Sequence, residues 1–480
     1  MKRIIVKLWL IISFFSFNIY GQTNNGLNEW NNFIDNQYYL KNFTQLNNPA
    51  FLFQDYRQNF LRTNLNFINE SGAFRRAFDP ENQNNYSVLF QGIKKLDSSK
   101  VLWGSASYTI DDRKNVNRSL KYLPYNGEAF FLLDDGMGNI KYNGPTLSAV
   151  YSQSITGNTI LGLHVNYGIL KGLKSNYSNT SILLRNVGFN FGVIHNLNSN
   201  MLVGLNVEYY DLQESFEGKG NELTQTEFFN YRGEKYFIGS IGSVLKEKLK
   251  KNYFSICPQA IYKFSKGEFI LSGEYRHSNA RSFLPKQQLI EFEEGYSSRN
   301  NWRLNLSFIY EINQDLSLII NSGFYKNYCW SKNSEKNLLL WEWNSSFSNS
   351  EATLFANVLK GVLKISAGYK YQSADFDSTK YIDNKIITSR FANHTFNFGL
   401  LLLPSSRILI VTELAYRLKE DNIIYAGTNF IEPFLKNIFR IKADTFEIDL
   451  CLNYNFLRAE NSDSKRKNIN ISLDLKLSDF

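Results

Sequence analysis

The stretch Asn468–Phe480 constrains this chain most. Ile469, Ile471, Leu473, Leu475 and Leu477 alternate with Asn470, Ser472, Asp474 and Lys476. Successive residues of a β-strand face opposite sides, so this segment is apolar on one face and polar on the other. Such a strand belongs at a boundary between an apolar medium and water. Phe480 is out of phase with the apolar positions, which requires a bulge or an irregular end.

The pattern recurs along the chain. About eighteen segments of roughly ten residues, from Leu61–Asn69 onward, have the length a tilted membrane-spanning strand needs. In one, Trp302, Leu304, Leu306, Phe308, Tyr310 and Ile312 enclose Arg303, Asn305, Ser307, Ile309 and Glu311; in another, Phe446, Ile448, Leu450, Leu452, Tyr454 and Phe456 enclose Glu447, Asp449, Cys451, Asn453 and Asn455. At about 3.3 Å per residue and about 40° tilt, Trp302 and Tyr310 lie roughly 20 Å apart along a membrane normal. That spacing matches aromatic girdles bounding an apolar band, and Trp302, Tyr310, Tyr454 and Phe456 are the girdle candidates.

Connections alternate in length. Short turns fall at Leu96–Lys100, Thr156–Thr159, Asn196–Asn200, Ser265–Gly267, Asn313–Asp315 and Pro404–Ser406, and long polar stretches at Asp111–Pro145, Leu212–Asn252, His277–Asn301 and Lys419–Ala443. Short periplasmic turns with long extracellular loops are the pattern of an outer-membrane barrel. Closure also satisfies every backbone group in lipid, which an open sheet cannot do. The fold class read from the sequence is therefore an all-β, transmembrane antiparallel barrel of about 16–18 strands, with 14 also compatible. The alternation slips near Lys360-Gly361, so between Asn337 and Ser373 one candidate strand is false or one is missed.

At the amino terminus, Lys2, Arg3 and Lys7 precede an apolar run from Leu8 to Phe17, followed by Tyr20-Gly21-Gln22. This is the layout of a secretory signal peptide over residues 1–21, cleaved after Gly21. The expected location is the outer membrane of a Gram-negative bacterium. Residues 22–60 form a periplasmic segment, a short helix or lumen cap, with Trp30, Phe33, Ile34 and Tyr38 at helical spacing before Asn47-Asn48-Pro49-Ala50 breaks it. Residues 61–480 are the barrel. Three cysteines in an exported chain do not make a disulfide framework. The net charge of +9 is dispersed, which fits solvated loops and contact with lipopolysaccharide and other outer-membrane lipids, and argues against nucleic acid. The carboxyl-terminal strand is the expected handle for the barrel assembly machinery.

Candidate chemistry is sparse. His277-Ser278-Asn279 reads as a polar loop end, because a nucleophile, base and orienter must converge in space and seldom do so as sequence neighbours. His164 reads as a hydrogen-bonding group of the lumen. Asp134-Asp135-Gly136 reads as a tight turn, since it lacks calcium-loop spacing. Lys246–Lys251 reads as a solvated loop face, with lipid phosphates as the alternative. No catalytic residue, metal site or cofactor is expected. The lumen candidates are polar-face residues: Glu208, Arg303, Glu311, Lys364, Lys370, Glu413, Arg417, Glu447, Asp449, Asp474 and Lys476. Their mixed signs suit a weakly selective water-filled pore, or a lumen closed by ion pairs and infolded loops.

Asn48-Pro49-Ala50 is followed by a strand, then Glu70-Ser71-Gly72, Phe74-Arg75-Arg76, Tyr86 and Phe90-Gln91-Gly92-Ile93-Lys94-Lys95-Leu96. This order resembles the start of a Bacteroidota family of outer-membrane β-barrel proteins without an assigned function. The resemblance implies fold and location, and no activity. The expected function is a pore or capture protein for a small solute or nutrient. The alternative is a structural or partner-binding barrel of an uptake or secretion complex, and an outer-membrane lipid or peptide hydrolase is the third.

Overall fold

In the computed structural model, β1 (Phe60–Gly72), the first strand, pairs on one side with β2 (Asn82–Asp97) and on the other with the last, β20 (Lys465–Ser478), both antiparallel. That second pairing closes the sheet. The structure describes residues 41–124, 130–175, 179–219, 228–232, 236–238, 244–286, 290–359, 362–381, 384–405, 407–420, 430–443, 445–459 and 463–478. The proposed signal peptide, the Trp30–Tyr38 helix pattern and Phe480 lie outside them.

From β2 the ring continues through β3 (Lys100–Ser119), β4 (Phe130–Ser154), β5 (Thr159–Ser175), β6 (Thr180–Asn196) and β7 (Met201–Lys219). Two short strands, β8 (Phe228–Arg232) and β9 (Tyr236–Ile238), stand outside it, with β8 pairing to the start of β4. The ring resumes with β10 (Val244–Phe264), β11 (Gly267–Lys286), β12 (Ile290–Asn313), β13 (Leu316–Asn333) and β14 (Leu338–Leu359). It ends with β15 (Leu363–Lys380), β16 (Lys385–Ser405), β17 (Ile408–Glu420), β18 (Phe430–Lys442), β19 (Phe446–Ala459) and β20. The result is a closed antiparallel barrel of 18 strands.

The total agrees with the sequence reading through two compensating errors. Asn337–Ser346 and Ser350–Leu359 are one continuous strand, β14, paired along its length to β13 and β15. The serine-rich centre, Ser345 to Ser350, reads as a break only because small polar residues are as common in turns as above the lipid. The missed strand is β18, inside the supposed loop Lys419–Ala443. Pro433 hides it: Glu432 and Pro433 have no partner on β19, while pairing to β17 runs on through them. Pro lacks the N–H that a ladder uses, so a strand pattern containing it looks interrupted. With both corrections, β14 and β15 are separated by only a few residues and the alternation of short and long connections is regular.

The other supposed loops are also largely strand. β3 and β4 take up most of Asp111–Pro145, β7 and β10 both ends of Leu212–Asn252, and β11 and β12 nearly all of His277–Asn301. Strands reach 25 residues, as in β4. About ten suffice to span lipid, so the rest extends the wall beyond it on the side opposite the short turns.

Face assignment follows from alternation. Leu61, Leu65, Tyr86, Phe90, Leu304 and Leu475 are large exposed apolar residues on the outer face, whereas Phe60, Ile93, Asn206 and Lys476 point inward and are buried. An outer face of exposed leucine and phenylalanine is stable only against lipid. Trp302, Tyr310, Tyr454 and Phe456 all share that outer face; Tyr310 stacks with Phe264 and Phe308 beside the short turn Phe264–Gly267. Trp302 sits at the other end of the band, 57% exposed.

Candidate functional site: the inner wall and its amino-terminal wedge

Two short helices, α1 (Lys41–Leu46) and α2 (Phe51–Asp55), lie at the short-turn end, with Asn48-Pro49-Ala50 between and beside them. This segment is wedged against the inner wall. Asn48 is fully buried; its Nδ2 donates to Gln259 Oε1 at 2.9 Å and to the carbonyls of Leu205 at 3.3 Å and Val193 at 3.4 Å. Its Oδ1 accepts from the Ala50 N–H at 3.0 Å. Gln259 Nε2 in turn donates to the Leu46 carbonyl at 2.8 Å, and Asn190 Nδ2 to the Asn47 carbonyl at 2.8 Å.

The wall makes room by omitting side chains. A Cβ on Gly192 would stand 1.9 Å from Asn48 Oδ1, and one on Gly162 would stand 2.2 Å from the Ala50 nitrogen. Neither is sterically possible, so these strand glycines form a notch that fits the turn. Below it, Leu46, Ala50 and Phe51 pack on Ile160, Ile194, Leu202, Ile261 and Ile270, and Leu52 packs on Phe60, Ile93, Val101 and Val150. Asp55 closes the segment on itself, accepting from Asn42 Nδ2 at 2.9 Å and the Phe43 N–H at 2.8 Å. Burial pushes its carboxyl above the usual carboxylate range.

Eleven charged positions singled out in the sequence all fall in register with the inward face. Most have opposite charges as cross-strand neighbours. Lys370 faces Glu351 at 3.6 Å, Arg417 faces Glu432 at 2.7 Å, and Asp449 takes both its oxygens to Arg440 at 2.7 Å. Glu413 is opposite Lys436 in register. Glu447 lies between Lys476 and Lys442, each at 3.4 Å, and Asp474 pairs diagonally with Arg62 at 2.7 Å. Arg440, Lys442, Glu447, Asp449, Asp474, Lys476 and Arg62 thus form one network across the seam where β20 meets β1. Arg303 faces Glu274 at 3.8 Å, and Glu208 receives Tyr253 at 3.1 Å and Arg276 at 3.5 Å. Lys364 and Glu311 lie near the short turns of the same face.

Sequence reasoning missed the partners. Glu351, Glu274, Arg276 and Arg62 sit at polar positions of alternating strands, where a search for opposite charges would have found them. Glu432, Lys436 and Arg440 were hidden with β18. The notch glycines gave no chemical signal, since an isolated strand glycine has many uses.

Three local expectations need correction. Asp134 is in β4 and not in a turn; it pairs with Lys174 at 2.6 Å, both side chains fully buried. The same ammonium donates to the Gly136 carbonyl at 3.0 Å. Lys246–Lys251 is strand rather than loop, with Glu247 and Leu249 turned inward and Lys246 paired to Glu217 at 3.2 Å. His277-Ser278-Asn279 is mid-strand in β11: His277 bonds Asn300 at 2.7 Å, while Ser278 faces the opposite side. His164 faces the lumen and bonds Ser148 at 2.7 Å. Cys257, Cys329 and Cys451 are free thiols.

No curated protein matches this chain. Among solved structures, the siderophore receptor PirA from Acinetobacter baumannii is similar, at 9% identity and a TM-score of 0.43 over 87% of this chain and 80% of that one. The ferric citrate transporter FecA gives 8% identity and a TM-score of 0.46 over 87% of this chain and 78% of that one. The toluene transporter TodX from Pseudomonas putida gives 10% identity and a TM-score of 0.34 over 92% of this chain and 94% of that one. A family model spans residues 49–478, from the Pro49 of the wedge to the last described residue of β20, and the chain belongs to that family, a family of unknown function (DUF6850).

Proposed function

We propose that this protein is an outer-membrane barrel through which a small solute or nutrient is passed or captured. One observation carries the reading: the outer face is apolar, whereas the inner wall bears charged residues along strands from β1 to β20, many joined in cross-strand ion pairs. A polar, charged inner wall supports the reading, because charge inside a barrel must be compensated by water or by a partner. Paired charges of both signs give little net field, so selectivity for one ion sign is weak. The proposal includes export by a cleaved signal peptide and no catalytic role.

The test is swelling of proteoliposomes in isotonic solutions of solutes graded by size, with and without residues 220–243. Deleting all of Leu212–Asn252 would cut into β7 and β10 and is avoided. The reading expects size-dependent swelling from the intact protein. The absence of swelling and of retained radiolabelled solute for both proteins refutes it.

A further inference from the structure

Above the lipid band, the inner wall of β13–β16 carries a row of rings. Trp341 and Trp343 stack with centroids 5.9 Å apart, Trp343 and Phe376 at 6.2 Å, and Phe376 and Phe391 at 5.9 Å. All four share the inward register of Asn349, Gln372 and Asn393. Lipid does not explain them. They face away from it, and at this level the outer face is charged: Asp375 and Arg390, next to Phe376 and Phe391 in sequence, form an exposed pair at 2.6 Å.

The rings alternate with small polar groups. Trp343 lies opposite Ser378 and Phe376 lies between Ser345 and Ser389. The indole N–H of Trp341 donates to Ser378 Oγ. Toward β11 and β12 the row runs into guanidinium groups, with Arg299 over the Trp343 ring at 5.6 Å and Arg303 over Tyr325 at 5.7 Å. Beside them, Glu274, Arg276, Asn301, Arg303 and Tyr325 line a cavity of about 60 Å³.

We propose that this wall is the binding track for a linear oligosaccharide, an inference that rests on the solute-handling reading above. A platform four rings long is wasted on a single small ring but matches a chain of them. The flat C–H faces of sugar rings lie on aromatic faces, while their hydroxyl edges need donors and acceptors at intervals, which the interleaved serines supply. The Arg303–Glu274 pair offers a fork of donors beside a carboxylate acceptor, the pairing that vicinal hydroxyls or a sugar carboxylate take up at one end of the track.

The experiment is isothermal titration of the full chain in detergent with maltohexaose and with a hexameric oligogalacturonate, the second separating acidic from neutral saccharides, and with benzoate as a lone-ring control. Trp343→Ala and Ser378→Ala are compared, each checked for barrel folding by heat-modifiable migration. The inference expects saturable binding of at least one hexamer, weakened at least tenfold by Trp343→Ala and less by Ser378→Ala, with benzoate inert. Binding of neither hexamer while proteoliposomes still swell overturns this inference and leaves the solute-passage reading standing. Hexamer binding that Trp343→Ala leaves unchanged, or benzoate binding lost on the same substitution without hexamer binding, also overturns it. Trp343-dependent hexamer binding without swelling supports the track and removes passage in favour of capture.

Discussion

Replacing Asn48 by alanine tests whether the amino-terminal wedge is held by the contacts described above. The side chain is fully buried and makes its best bonds to Gln259 at 2.9 Å and from Ala50 at 3.0 Å. Truncation strands the Gln259 oxygen and the Ala50 N–H, at about 1–3 kcal/mol for each buried group left unsatisfied. The loss in docking free energy is therefore about 2–6 kcal/mol, with the longer bonds to Val193 and Leu205 adding little. At about 1.4 kcal/mol per tenfold, local opening becomes about 30- to 20,000-fold more frequent. Amide hydrogen exchange followed by mass spectrometry reads this directly. The peptide covering Phe51–Tyr56 should exchange faster by that factor, while peptides from β12 and β13, which do not touch the wedge, keep their rates. Unchanged exchange at Phe51–Tyr56 would show that packing of Leu52 and Phe51 alone holds the segment and would refute the argument from hydrogen bonds.

Other perturbations probe separate parts of the account. Lys174→Met leaves the Asp134 carboxylate without its ammonium in a fully buried setting and should cost about 3 kcal/mol; adding Asp134→Leu should restore part of that loss in thermal unfolding of the detergent-solubilised barrel. Asp55 has a carboxyl raised by burial, so its contribution to docking is full below the unfolded value and is lost as pH rises through the folded one. Exchange at Phe43–Asp55, corrected for intrinsic rates, should slow as pH falls from neutral toward 4 in the wild type and show no such trend in Asp55→Asn.

Alternation made the barrel legible, because one apolar face per strand follows from lipid outside and a polar inner wall. The strand ends were not legible. The upper halves of β4, β7 and β10 mix charged, polar and apolar residues without a regular alternation, so they look like loops until their pairing partners are known. Pro433 and the Ser345–Ser350 run misled for the same reason: residue type reports local preference, whereas a ladder is fixed by neighbours far away in the chain. The charged positions of the inner wall could be read one strand at a time, but their pairing could not, since register across strands decides that Asp449 meets Arg440 and that Asp474 meets Arg62. The wedge was the least legible feature, because the fit of Asn48 depends on missing side chains at Gly162 and Gly192.

Single-channel recording in a planar bilayer tests the central claim most directly, with the intact protein and a variant lacking residues 220–243. The account predicts discrete conductance steps from the intact barrel, with weak preference between cations and anions because the wall charges are paired. Silence from both proteins, with the barrel shown to be folded and inserted, would contradict a solute path through the lumen.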